Sequence, residues 1–244
     1  MVQTHIKTLG IGWVLGDGTG CGVDNLSQER RLSLREHAVD GALAGFNPKP
    51  YLTTVKGYLD PASAYCLAAG SLALSEVGIG DPTGSNLKAG ICTATYYGAP
   101  TSGFRFFTQL IQKGPRLASP LVFPHSYSNT AGNLAAIEFG FAGPHMVFYG
   151  RQSIAELFEF AFTRFEQGEV TDMLVGAYEA DCREALPDDV KTVNGAVMLY
   201  LSSQPKQKDL LPDLFRSREA MRTALDRCSA KSPYGSVDAL LSLF

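Results

Sequence analysis

The side chains with most chemistry to offer are four histidines (His5, His37, His125, His145) and five cysteines (Cys21, Cys66, Cys92, Cys182, Cys228). No two histidines stand at H-x-x-x-H or H-E-x-x-H spacing, so no helix face presents a pair of them to zinc. No C-x-x-C pair occurs, which excludes a zinc ribbon and a thioredoxin-type redox motif. A G-x-S-x-G nucleophile turn, a phosphate loop and an aspartate-rich calcium loop are also missing from the sequence. Gly16-Asp17-Gly18-Thr19-Gly20-Cys21-Gly22 is rich in glycine, but Cys21 stands where a dinucleotide fingerprint needs its third glycine. It reads as a flexible loop. The carboxylate pairs Asp188-Asp189 and Glu179-x-Asp181, beside Pro187 and Cys182, read as loop surface ahead of catalysis.

One turn is better placed for chemistry. Tyr149-Gly150-Arg151-Gln152-Ser153 joins an apolar strand to a helix, and free N–H groups at a helix start stabilise developing negative charge. Gln152 is no nucleophile. Ser153 is the only hydroxyl there, and Glu156 three residues on gives it capping-box spacing, so Ser153 reads as a helix cap.

Around this turn the chain alternates strands and helices. His5–Val14, Leu87–Thr95, Pro144–Tyr149, Met173–Ala177 and Gly195–Ser202 read as strands. Asp60 and Pro61 open a helix over Ala62–Val77, with Asp as cap, Pro at the first position, and Gly78 and Gly80 ending it. Ser102–Gln112 is an aromatic helix or turn, Gly114–Pro124 a proline-punctuated loop and Asn129–Phe139 a small-residue helix. Ser153–Gln167 carries Ile154, Leu157, Phe158, Ala161 and Phe165 on one face, with Phe160 and Phe162 off it. A helix apolar nearly all round must be buried nearly all round. Gln204–Ser232 is a linker followed by a basic helix around Leu214–Cys228, and Ser236–Phe244 is a short apolar tail.

Composition sets the limits. The chain has 244 residues, 45% hydrophobic and 18% charged, with net charge −3. That supports a sizeable core and excludes a disordered chain. The balance argues against a general nucleic-acid binder, which is normally basic. Few, widely spaced cysteines point to free thiols in a reducing cytoplasm. No signal peptide is expected, and no apolar run reaches the roughly 18 residues of a membrane span.

In order along the chain, several segments resemble the N-terminal half of a β-ketoacyl synthase of the thiolase-like class. They are Ser119-Pro120-x-x-Phe123-Pro124, Asn129-Thr130-Ala131-Gly132-Asn133, Gly143-Pro144, Gln167-Gly168-Glu169, Val175-Gly176-Ala177-Tyr178-Glu179-Ala180 and Asn194-Gly195-Ala196-Val197. Asp60–Gly78 is similar to the family's earlier helix. The ordered set, more than any single motif, carries the resemblance, which covers most of residues 1–203. It implies an α/β, thiolase-like half fold: a mixed, largely parallel five-stranded sheet with helices on both faces. The expected domain is 1–203, with 204–244 a basic linker and helical tail packing back over the helix at 153–167.

Two departures from the family pattern shape the expected function. The family's catalytic Cys aligns with Gln152, and an amide cannot hold an acyl chain as a thioester. The family's two catalytic His and its Lys belong to a C-terminal half that a chain of this length lacks; His125 and His145 match neither. Gln for Cys resembles the chain length factor, the non-condensing partner of some ketosynthases. The resemblance therefore implies a non-catalytic, cytoplasmic subunit. It would pair as a heterodimer with a full-length β-ketoacyl synthase, meet acyl carrier protein, need no cofactor and serve aryl-polyene-type fatty acid or polyketide synthesis.

On that reading Pro144, His145, Met146, Val147 and Phe148 form the interface strand, while Phe104, Phe106, Phe107, Tyr149 and Gln152 face the partner's acyl tunnel. The phenylalanines would limit chain length by bulk; ordinary core packing is the alternative for them. Two other functions stay open. Gln152 could polarise a malonyl thioester for decarboxylation. The basic segment Lys206–Lys231, with Arg105, Lys113 and Arg116, could dock an acidic acyl carrier protein.

Overall fold

A computed structural model describes residues 5–36, 38, 43–54, 56–79, 86, 88–204, 209–227 and 232–244. The expectations placed on His37, Gly80, Leu87, Pro205, Lys206, Cys228 and Lys231 lie outside the described residues.

The centre is a six-stranded mixed sheet in the order β2-β1-β6-β5-β3-β4. The strands are β1 (Lys7–Leu15), β2 (Gly18–Cys21), β3 (Ala89–Thr95), β4 (His145–Tyr149), β5 (Asp172–Glu179) and β6 (Gly195–Ser202). The expected mixed α/β layering is present, with two corrections. Gly16–Gly22 is not a flexible loop: it holds β2, which folds back on β1 with Val14 opposite Thr19 and Leu15 opposite Gly18. That strand brings the count to six, where five were expected. Parallel pairing is confined to β4, β3 and β5; the β2–β1, β1–β6 and β6–β5 ladders are antiparallel. The reason lies in the connection. β5 and β6 are joined by residues 180–194 with no helix, so the chain makes no crossover and returns antiparallel.

Helices cover both faces. They are α1 (Gln28–Glu36), α2 (Pro61–Glu76), α3 (Pro100–Lys113), α4 (Thr130–Glu138), α5 (Ser153–Glu166), α6 (Arg218–Arg227) and α7 (Gly235–Leu241). α2 lies against β1, β6 and β5, with α4 beside it. Asp60 caps α2 as the sequence predicts, accepting from Ala62 N at 3.0 Å, with Pro61 at the first position. Glycines let α2 approach the sheet: a Cβ on Gly12 would sit 2.0 Å from Ala69 O, and one on Gly10 2.2 Å from Ala73 O.

On the other face, α5 and α7 pack on the parallel strands. Phe158, Phe162 and Phe165 of α5 are all buried. The ring of Phe215, from the segment before α6, lies 5.5 Å from that of Phe158 and 6.4 Å from that of Phe162. Arg218 and Arg222 of α6 reach the carboxylate of Glu159 on α5, and Arg218 also pairs with Glu166 at 2.8 Å. Every residue of α7 is buried. Its Asp238 accepts bidentate pairs from Arg31 and Arg35 of α1, a helix that has no counterpart in the sequence reading.

Candidate functional site

The parallel strands β3 and β4 end side by side, with Thr95 opposite Tyr149. In open α/β sheets, ligands collect at such carboxyl ends. Gly150, at φ +101°, turns the chain from β4 towards α5 and donates its N–H to Thr95 O at 2.9 Å. Arg151 O accepts from the Tyr96 hydroxyl at 3.2 Å. Gln152 is exposed and occupies the N-cap of α5. Its carbonyl accepts from Ala155 N and Glu156 N, while its side chain makes no capping bond. The amide therefore stands open at a helix N-terminus.

The capping-box expectation for Ser153 fails. Ser153 is the first helical residue, fully buried, with its hydroxyl unpartnered among the described residues. The turn reaches one residue further into the chain than the spacing suggests, because Gly150 and Arg151 complete it and leave Gln152 in the cap conformation.

Behind this turn lies a buried carboxylate. Glu179, at the end of β5, is completely inaccessible and accepts from Thr95 Oγ1 (3.2 Å), Tyr96 N, Tyr97 N (3.4 Å), Ser236 N (3.1 Å) and Ser236 Oγ (2.6 Å). Burial raises its pKa above the usual carboxylate range, against the pull of these donors. Burial, with Glu179 nearby, also pushes the Tyr96 phenol up to about 12. The reading of Glu179-x-Asp181 as loop surface is thus overturned, since Asp181 is buried as well. A lone carboxylate in the apolar run Val175–Ala180 was the available signal: such a group has to be buried and hydrogen-bonded. Asp60 plays a similar part under α3, accepting from Ser102 N at 2.7 Å, with burial raising its pKa. Among the described residues no three His, Cys, Asp or Glu side chains converge as metal ligands.

The candidate interface residues lie on or just before β4, where Phe148 packs on Phe160 of α5 with ring centroids 5.9 Å apart, and the candidate tunnel phenylalanines lie on α3. β4 is the last strand of the sheet, and its outer edge pairs with no strand among the described residues. Met146 is 42% and Tyr149 61% exposed. His145, Val147 and Phe148 are half-buried, as is Pro144 just before the strand. Burial lowers the pKa of His145, whose Nε2 is enclosed without a partner among the described residues. On α3, Phe104 and Phe107 are exposed, while Phe106 is half-buried and packs on Phe123 with ring centroids 4.9 Å apart. Phe123 in turn meets Tyr127 at 5.0 Å. Tyr149 and the start of α3 converge at Gly98, where a Cβ would lie 3.4 Å from the Tyr149 ring. Tyr149 is thus brought against the loop that leads into α3, and Gln152 follows it three residues on at the start of α5; the phenylalanines lie further along α3.

This sheet order and these helices match solved ketosynthases. One similar structure is entitled the ishigamide ketosynthase/chain length factor: TM-score 0.65, 18% identity, 82% of this chain and 59% of that chain covered. The fold is that of the β-ketoacyl synthases. A ketosynthase (ApeO) in complex with its chain length factor (ApeC) from Xenorhabdus doucetiae matches at TM-score 0.51 and 16% identity, covering 84% of this chain and 80% of that one. In sequence, the chain is 30% identical over 148 residues to the chloroplastic 3-oxoacyl-[acyl-carrier-protein] synthase I of Arabidopsis thaliana, covering 57% of this chain and 31% of that protein. The chain thus spans about a third of the length of the curated relatives it matches. No protein-family model matches it. Among the described residues, no helix of this β-ketoacyl synthase-like half fold is long and apolar enough to cross a membrane.

Proposed function

We propose that the chain is a non-condensing, chain-length-factor-like subunit that pairs with a β-ketoacyl synthase and shapes its acyl tunnel during fatty acid or polyketide synthesis. The observation that carries this reading is Gln152. At the start of α5, straight after the edge strand β4, the fold presents an exposed amide. That position offers helix N–H groups to a developing anion, yet the amide cannot form a thioester. A partner supplies the thiol, and the open edge of β4 with the aromatic face of α3 supplies the surface on which it sits. Similarity to structures entitled as ketosynthases with chain length factors supports the same reading.

In this assembly Pro144–Tyr149 adds to the partner's equivalent strand, and Phe104, Phe106 and Phe107 stand at the end of the partner's acyl tunnel. An acyl chain grows until it meets a side chain it cannot displace. The segment 206–231 is a weaker docking site for carrier protein than its charge suggests, because its Arg218 and Arg222 already pair with carboxylates of α5.

The test is co-expression with each β-ketoacyl synthase of the source organism. A stable one-to-one complex that elongates acyl chains, with the thiol contributed by the ketosynthase alone, supports the proposal. Failure to bind any of them refutes it. CO2 release from malonyl-carrier protein by the purified chain, lost in Gln152→Ala, would replace it with a decarboxylase.

A further inference from the structure

The turn that presents Gln152 is held from behind at two points. Gly150 donates its N–H to Thr95 O, and Arg151 O accepts from the Tyr96 hydroxyl. Both supports sit at the end of β3. Tyr96 is only 5% exposed, so its hydroxyl needs partners inside the protein. Arg151 O is one. The other is the backbone N–H of Ser232, which bonds to the same phenol oxygen from just before α7. Burial, with Glu179 nearby, keeps this phenol neutral at physiological pH, so it retains the proton it donates.

A second path runs beside the first. Glu179 accepts from Tyr96 N and Thr95 Oγ1 on one side, and from Ser236 N and Oγ on the other. The Ser236 hydroxyl also lies 3.3 Å from Ala94 O and from Tyr178 O. Gly235, at φ +92°, permits this approach, since a Cβ there would lie 3.0 Å from Cγ of Glu179. Residues 232–236 therefore close both paths, and both paths end on the turn. Nothing nearer fixes it, because the Gln152 side chain makes no capping bond to its own helix. A group carried on a turn is placed only as well as the side chains behind that turn are held.

We propose that Tyr96 is a positioning residue and that residues 232–236 of the tail belong to the site: the Tyr96 hydroxyl ties the Gln152 turn to the entry of α7, so that a disturbance of the tail moves the turn. The open amide and the first N–H groups of α5 stand where the tail sets them. A ligand held at Gln152 tightens the tail in return, because coupling between two sites is reciprocal. This rests on the reading of Gln152 as the working group of the site. Its test uses the chain alone, so failure to find a ketosynthase partner leaves it standing.

Amide exchange followed residue by residue by NMR provides that test. Tyr96→Phe removes one oxygen and keeps the ring. The amides of Gly150 and Ser153, both bonded at this turn, should exchange about tenfold faster, beyond any change shared by Leu174 and Leu199 in the buried centre of the sheet. The side-chain amide resonances of Gln152, assigned by their loss in Gln152→Ala, should shift as well. Ser236→Ala reads the same connection from the tail and should speed the same two amides by about threefold over the sheet centre; this arm decides the matter if Tyr96→Phe does not fold. Tyr97→Phe is the control, because the Tyr97 hydroxyl has no partner among the described residues. Unchanged exchange at the turn in either variant, a rise by one common factor throughout the protein, or a turn loosened equally by Tyr97→Phe would overturn the proposal.

Discussion

Ser236 donates both its backbone N–H and its hydroxyl to Glu179, at 3.1 and 2.6 Å, across 57 residues of chain. The contact fixes the C-terminal helix α7 to the end of β5. Because the same carboxylate accepts from Thr95 and Tyr96, it also fixes the root of α3. Ser236→Ala leaves a buried, partly unsatisfied carboxylate, which costs roughly 1–3 kcal/mol. Urea denaturation should show that loss, and the melting temperature should fall by about 2–4 °C for each kcal/mol in a chain of this size. No change would mean that the Ser236 hydroxyl adds nothing to the hold on α7.

A second clasp joins α7 to α1. Asp238 has no exposed side-chain surface and carries two guanidinium groups, Arg31 and Arg35, at 2.7–3.0 Å. Burial alone would raise its pKa, but Arg35 and Arg31 outweigh burial and hold it below the usual range. Asp238→Asn keeps the shape and removes the charge that both arginines answer. Losing one member of a buried ion group costs about 3–5 kcal/mol. The expected readout is a lower urea midpoint together with faster hydrogen exchange in both helices.

Glu138 sets an acid limit. Burial works against its charge, but Lys56 and the donors of Thr53 and Thr54 bring its pKa down to about 2 from an ordinary value of 4.5. A carboxylate whose pKa is depressed on folding contributes stability that is fully present above the unfolded pKa. That stability is lost as pH falls from about 4.5 towards about 2. Glu138→Gln should therefore narrow the gap to the parent protein across that window, while being less stable at neutral pH. A gap independent of pH between 2 and 5 would remove the ionic account.

The strands and most helices were legible because each has its own local signal. The Asp60-Pro61 cap, the Gly78 and Gly168 stops and the apolar runs of β5 and β6 are written in consecutive residues. β2 was hidden because Gly18–Cys21 has no apolar alternation; it exists only through its register with β1. α1 was hidden because its sequence is polar, and its buried face is formed by Leu34 and an arginine paired to Asp238. The site was half legible. Gln152 announces itself by what it cannot do. Glu179 is defined by donors at positions 95–97 and 236, which no spacing along the chain brings together.

The exposed side chains of β4 and α3 should be silent in the free protein. Tyr149 and Ile111 are 61% and 69% exposed, so Tyr149→Asp and Ile111→Asp should each change stability by no more than about 0.5 kcal/mol. In the complex the same changes bury a charge in an apolar contact and should abolish co-purification with the ketosynthase. If both variants still bind, the partner sits elsewhere.

The three phenylalanines of α3 are not equivalent, and the difference gives the tunnel proposal its sharpest test. Phe106 is half-buried and packs on Phe123 with the rings tilted by 48°, so Phe106→Ala both enlarges the face and loses an aromatic pair worth about 0.5–1.5 kcal/mol beyond its area. Phe104 is exposed and lacks a ring partner among the described residues, so Phe104→Ala changes bulk with little cost to the fold. Both variants, in complex with the ketosynthase, should yield a longer acyl product, and Phe104→Ala should do so without a fall in melting temperature. Products are read by mass spectrometry against the unaltered complex. Unchanged product length in both variants, with the complex still formed, would assign these residues to the protein contact and leave chain length to be set by the ketosynthase itself.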